Sequence, residues 1–370
     1  MANILDYLDW RSDIPFSFDP FNVIDALILA QLSYLPLSDI VPGEKSGEIS
    51  VADAAGRYMP ELVPKDLRVM THDDDALLIK KLAGSVRFGE MKLCCFSDIT
   101  DDSIDLQFAA LTCILPDGTR FVSFRGTDST IAGWKEDFNF SYMSKTPSQI
   151  CAKEYLDMNF SGTEDRLLAG GHSKGGNLAV YACAFCEPEI SERVISVYDF
   201  DGPGFREEIS GSENFKRIIG RTVSVIPESS LVGQLLTGNS AHRIVKSTAT
   251  GIMQHLVYSW QVKRGDFVYT EELSRLGSFI NRAVVSWVDG LDDDSRRVFV
   301  EGLFELVSAT DAKTLADLGK NRLRSYSALV KAVSKLDEEH QKVMKDALKK
   351  LAVNSKDAVL SGLISDRAST

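Results

Sequence analysis

Residues 171–175 read Gly-His-Ser-Lys-Gly, and their setting constrains the fold more than any other stretch of the chain. Glycine and serine are common enough that G-x-S-x-G turns up by chance in about one chain in ten of this length. The flanks carry the weight. Leu167 and Leu168 form an apolar strand before the motif, and Gly175, Gly176, Asn177 and Leu178 open a small-residue helix after it. A serine at such a strand-to-helix elbow sits in a strained turn. Small residues are needed on both sides, because a side chain at either glycine would run into neighbouring chain. The turn lifts the hydroxyl out at the carboxyl edge of a sheet, where a helix N-terminus supplies N–H groups and partial positive charge. The competing reading is a plain Gly-rich turn.

The surrounding sequence alternates between strand and helix. Residues 106–115 are an apolar run closed by Pro116-Asp117-Gly118, a turn signal. With a second strand at 119–124 they predict a hairpin. A short strand is expected at 166–170, a helix at 177–185, and strands at 194–200 and 222–226 with a helical stretch at 207–218 between them. The alternation predicts an α/β fold, a mostly parallel central sheet flanked by helices. This core spans 101–265. The mixed segment 1–100, with an amphipathic helix expected at 21–35 and a polar stretch at 44–67, packs on it. All 11 prolines lie at or before Pro227. From about residue 267 the pattern is helical: Leu329, Val333, Leu336, Val343, Leu348 and Leu351 recur at helical spacing. Residues 266–370 are therefore expected as a helical C-terminal region, packed on the body or presented to a membrane surface or partner. The acids and bases mixed on its polar face argue against an anionic lipid target.

Charge and cysteine usage exclude several classes. The 370 residues carry 41 basic and 53 acidic side chains, a net charge of −12, with no basic cluster to grip phosphate, so no nucleic-acid partner is expected. No apolar run approaches the roughly 18 residues a transmembrane helix needs. Asp6, Asp9 and Asp13 interrupt the start, where a secretory signal would be apolar. Six scattered cysteines are too few for a disulfide scaffold. Cys183 and Cys186 fall inside an Ala-rich apolar helix and read as buried thiols rather than as a redox or metal pair. A cytoplasmic protein is expected.

A serine nucleophile needs a base, and five histidines allow a choice by elimination. His172 sits inside the elbow, its side chain expected to point away from the hydroxyl. His340 lies on a charged helix face, and His72 precedes Asp73-Asp74-Asp75. His242 and His255 remain, both downstream of the serine. His242 enters the strand-like run 242–245; His255 precedes the strand-like run 257–262 and is favoured. For the acid that orients the base, Asp201 directly follows the strand at 194–200, in Asp201-Gly202-Pro203-Gly204. Glu228 follows the next strand. Asp201 is favoured and Glu228 is the alternative; a plain turn-forming Asp is the competing reading of position 201.

Together these residues resemble a known family. Phe121-Val122-Ser123-Phe124-Arg125-Gly126-Thr127, followed by Trp134 and Asp137-Phe138-Asn139-Phe140, is similar to the oxyanion strand and loop of class 3 (fungal-type) lipases. The Gly-His-Ser-x-Gly-Gly elbow and its spacing from that block are similar as well. A closer resemblance is to an uncharacterised bacterial group of lipase-like α/β-hydrolases, carried by 201–205, 230–233 and Gln254-His255. The lipase resemblance covers roughly residues 105 to 260. It implies an α/β-hydrolase fold and implies that Thr127 and Lys174 donate backbone N–H groups to an oxyanion. It also departs at one point. Class 3 lipases usually place the acid after the strand equivalent to 222–226, where this chain reads Glu228-Ser229-Ser230-Leu231-Val232, without an Asp. Those lipases are also mostly secreted and disulfide-bonded.

The expected activity is hydrolysis of a carboxylic ester with an apolar acyl group, lipase- or esterase-like, with Ser173 as nucleophile, His255 as base and Asp201 as orienting acid. No metal or organic cofactor is required. The expected partner is a small ester or lipid substrate, with peripheral membrane contact compatible. The aromatic-rich segment 129–146 is a candidate lining or cover for the acyl pocket. Two other classes remain open. One is a non-catalytic lipid- or protein-binding member of the fold; the other is a thioesterase or acyltransferase using the same three residues.

Overall fold

The computed structural model describes residues 1–43, 47–64, 70–127, 140, 143, 145–230, 232–236, 242–274 and 293–294. Its centre is a nine-stranded sheet. The strands are β1 (Ile49–Ser50), β2 (Lys92–Asp101), β3 (Leu106–Ile114), β4 (Arg120–Phe124), β5 (Leu167–His172), β6 (Val194–Phe200), β7 (Thr222–Pro227), β8 (Arg243–Val245) and β11 (Tyr269–Thr270), adjacent in that order. Two further short strands, β9 (Val262–Lys263) and β10 (Asp266–Phe267), form a separate hairpin.

The sheet is parallel only in its middle. β4 through β8 pair in parallel, whereas β1 to β4 and the β8–β11 pair are antiparallel. It is thus mixed where a mostly parallel sheet was expected. The antiparallel part begins with the expected hairpin: Leu115 N–H meets the Thr119 carbonyl at 2.9 Å, with Gly118 at φ 84° in the turn. At the other edge, residues 266–270 are strands rather than the start of a helical region, because a turn at Arg264 (φ 61°) and Gly265 folds β10 back onto β9. The run 257–262 likewise divides into a 3-10 turn, Val257–Ser259, and the start of β9. The C-terminal helical expectation for 275 onward lies outside the described residues, 293–294 apart, as does most of the aromatic-rich segment.

Helices cover both faces, and side-chain alternation along the strands separates two cores. Phe121, Leu168 and Phe200 point to one face, where α1 (Ile4–Arg11) and α2 (Val23–Leu32) contribute Tyr7, Leu27 and Ile28. Val122, Leu167 and Ala169 point to the other. Two further helices pack there, the one at Pro147–Phe160 and the elbow helix at Lys174–Phe185. Every residue of β5 is buried, as expected of a central parallel strand covered on both sides. The helix expected at 21–35 exists as α2, but it is not amphipathic. Ile24 through Leu32 are all buried, because the sheet lies on one side of the helix and other N-terminal elements on the other. Its start is set by Asn22, whose side chain caps the Ile24 and Asp25 amides while Asp25 bonds back to the Asn22 N–H. All six cysteines are free thiols; Cys183 and Cys186 are buried in the elbow helix and beside its end, where the sequence placed them as core residues.

Candidate active site

Ser173 lies between β5 and the elbow helix, with φ 58° and ψ −133°, a conformation that L-residues rarely adopt. Its N–H donates to the Phe200 carbonyl at 2.8 Å, which ties the turn to β6. The two glycines of the motif are required by close approach. A Cβ on Gly175 would run into the Phe124 carbonyl, and one on Gly171 would collide with the backbone of Gly175. The turn is thus wedged against the end of β4. Gly126, two residues past β4, is similarly hemmed in: its Cβ would overlap the Tyr34 hydroxyl and stand 3.1 Å from the Ser173 Cβ. Thr127 follows directly, so this loop passes beside the serine. Lys174 opens the helix. Its side chain is buried and its ammonium donates to the Gln107 carbonyl at 2.7 Å, so it is fixed away from solvent.

Asp201 also has a positive φ, 54°, directly after β6. Its N–H donates to the Val225 carbonyl at 2.9 Å, and its side chain is fully buried. Oδ2 meets His255 Nδ1 at 2.6 Å. Oδ1 accepts the Ser230 hydroxyl and the Gly233 N–H, the latter at 3.1 Å. A carboxylate only accepts, so Nδ1 carries a hydrogen, and in the neutral ring Nε2 is the nitrogen with the lone pair. His255 ends a 3-10 turn, Gly251–His255, and its side chain is 22% exposed, so one edge of the ring reaches the surface. The turn is held on either side. Gln254 accepts the Ser229 N–H at 2.8 Å, and the Trp260 indole donates to the Gln254 carbonyl at 2.7 Å. Glu228 is half-buried and joined through its backbone, its N–H to the Val245 carbonyl and its carbonyl to the Ser274 N–H. The carboxylate that His255 engages is therefore that of Asp201.

The rings of His255 and His172 lie 4.5 Å apart, which brings His255 beside the residue that precedes Ser173. His172, expected only to point away from the hydroxyl, has partners of its own. Its Nε2 is 2.8 Å from the His255 carbonyl and its Nδ1 3.1 Å from the Tyr34 hydroxyl. Burial, assisted by the neighbouring His255, pushes the His172 imidazole well below the ordinary histidine range. The other histidines stand apart. His72 bonds the Pro60 carbonyl at 3.2 Å, His242 faces the Ser224 hydroxyl at 2.9 Å, and His340 lies outside the described residues.

Sequence reasoning also passed over Asp199. This carboxyl is buried beneath the Asp201 turn, accepting the Gly202 N–H at 3.0 Å on one oxygen and the Ser224 hydroxyl at 3.0 Å on the other. It fills the space that a Cβ would take on both Gly176 and Gly202. Burial raises it to about 7, against the lowering effect of those two bonds and with a push from Asp201. An Asp inside the apolar run Val197-Tyr198-Asp199-Phe200 is the signal that could have found it. Among the described residues, no group of three or more His, Cys, Asp or Glu could hold a metal ion.

A mixed sheet with helices on both faces, bearing a serine on a strand-to-helix elbow, defines an α/β protein. The chain belongs to the Mbeg1-like family, a lipase-like family whose sequence profile matches residues 82–305. Among solved structures it is similar to the "Crystal structure of M37 lipase", at 14% identity over 57% of this chain and 68% of that one, with a TM-score of 0.35. No curated protein matches it. No helix of the described residues is long and apolar enough to cross a membrane.

Proposed function

We propose that the protein is a serine hydrolase of the α/β-hydrolase type, acting on carboxylic esters with an apolar acyl group. Ser173 attacks the ester carbonyl. His255 Nε2 takes the hydroxyl proton and returns it to the departing alkoxide, and water then repeats the sequence on the acyl-enzyme. Asp201 holds the Nδ1–H tautomer and stabilises the imidazolium that forms. The N–H groups of Thr127 and Lys174 face the oxyanion, where one such donor is typically worth about 3–4 kcal/mol. This chemistry asks for no metal or organic cofactor.

One observation carries the reading: the 2.6 Å contact of His255 Nδ1 with a buried carboxylate, beside a serine in a positive-φ elbow. A structural ion pair needs neither the strained serine nor an imidazole edge left open to solvent. A fluorophosphonate probe tests the reading directly. Wild-type protein is expected to label at one serine, and Ser173→Ala to abolish labelling while leaving the fold intact. Folded wild-type protein that does not label would favour a binding role for the fold. A panel of p-nitrophenyl esters and acyl thioesters then separates the esterase from a thioesterase.

A further inference from the structure

The proposed chemistry leaves one buried imidazole beside the nucleophile without a role. His172 is 6% exposed, and its ring lies tilted against that of His255, with centroids 4.5 Å apart and an interplanar angle of 38°. Its two nitrogens have different partners, and those partners settle its tautomer. Nε2 faces the His255 carbonyl at 2.8 Å, and a carbonyl only accepts, so Nε2 carries the hydrogen. Nδ1 is then an acceptor, and the one hydrogen of the Tyr34 hydroxyl is shared between Nδ1 at 3.1 Å and the His172 carbonyl at 3.2 Å. The same hydroxyl occupies the space beside Gly126, next to Thr127. Tyr34 comes from the segment just past α2. A line of hydrogen bonds therefore runs from the hydroxyl of Tyr34, which holds His172 at both its ring and its carbonyl, through the elbow to the backbone of His255.

We propose that Tyr34 and His172 are a positioning pair that holds the imidazole of His255 at its working place beside Ser173; the proposal rests on the reading of Ser173, His255 and Asp201 as the hydrolytic residues. Asp201 fixes the ring of His255 at Nδ1. His172 fixes the carbonyl of the same residue. Two anchors on opposite ends of one residue leave the side chain a single orientation, which the backbone of the 3-10 turn alone would not impose. The His172 ring also packs against that of His255. Being buried and neutral, it adds no like charge when His255 takes up the proton.

The experiment compares four proteins by rate of fluorophosphonate labelling and by kcat and KM on a p-nitrophenyl ester. His172→Phe keeps the ring and its packing but has no N–H. It is expected to lose about 100-fold in kcat and in labelling rate, the scale that a misplacement of about 1 Å brings, with KM little changed. His172→Gln places an amide N–H near the position of Nε2 and is expected to recover most of that loss. Tyr34→Phe removes a single hydroxyl without altering shape, so folding is retained, and is expected to fall about tenfold by loosening the His172 ring. The double variant Tyr34→Phe/His172→Phe is expected to be no worse than His172→Phe, because the two residues act in series. Labelling of His172→Phe at the wild-type rate would overturn the pair. So would equal impairment of the Phe and Gln variants, or additive losses in the double variant. Wild-type protein that is folded and unlabelled would instead overturn the hydrolytic reading, and the role of the pair with it.

Discussion

Replacing Asp199 by Asn isolates the cost of one buried carboxylate. In the folded protein this group is raised from 3.8 to about 7, chiefly by burial, while in the unfolded chain it titrates as an ordinary Asp. Between about pH 4 and pH 7 the native state therefore binds a proton that the unfolded chain has released. Stability from this group is full below about pH 4 and is lost as pH rises through 7. At about 1.4 kcal/mol per pH unit, the total is on the order of 4 kcal/mol. Asn satisfies the same partners. Its amide oxygen accepts the Gly202 N–H, and its amide N–H donates to the Ser224 hydroxyl, which turns its own hydrogen toward His242 Nδ1, 2.9 Å away. The variant carries no charge at any pH. Chemical denaturation of both proteins at intervals from pH 4 to 8 gives a difference curve in which Asp25, Asp75 and His172, all displaced by burial and without a hydrogen bond to residue 199, are common and cancel. The variant is expected to match wild type near pH 4 and to gain steadily to a plateau above pH 7. A flat difference curve, or a variant that is less stable above pH 7, would refute the argument.

Three further outcomes follow from the geometry. Asp201→Asn is expected to lower the esterase rate by about 10⁴, as loss of the orienting carboxylate does in a Ser-His-Asp system, while Glu228→Gln stays near wild type; the reverse order would reassign the acid. Gly175→Ala places a methyl against the Phe124 carbonyl and is expected to cost about 1–3 kcal/mol and most of the labelling, read by thermal unfolding and probe reactivity together. Arg87→Met leaves the fully buried Asp25 without the guanidinium that contacts it at 2.5 Å, and a loss of about 3–5 kcal/mol in unfolding free energy is expected.

The middle strands of the sheet were legible because most of their residues are buried and so read as short apolar runs. Residues 194–200 coincide with β6, and 106–115, 119–124, 166–170 and 222–226 fall within two residues of β3, β4, β5 and β7. β2 was not legible. Its first half is buried and its second half, toward Asp101, is exposed, and a bulge between Cys94 and Ser97 breaks the alternation a reader would count. The helix at 21–35 was found but given the wrong face pattern, since a helix buried all round has no polar stripe. At the site, the elbow and the order of residues along the chain led to Ser173, His255 and Asp201. Asp201 and His255 are in contact, and the elbow lies beside them. His172 was set aside because adjacency to the serine was weighed only against the serine's hydroxyl. Its partners, Tyr34 and the carbonyl of His255, are 138 and 83 residues away in sequence, and no local pattern announces them.

The placement of Asp201 after β6 has a mechanical consequence. Ser173 and Asp201 terminate neighbouring strands that pair in unbroken register from Leu168 and Ser196 up to His172 and Phe200, and the Ser173 N–H is itself bonded to β6. Neither can shift without disturbing the same ladder, so the Ser173 hydroxyl and the Asp201 carboxylate move together. Whatever freedom the site has must belong to the third partner, which arrives on a short turn outside the ladder and is docked rather than woven in.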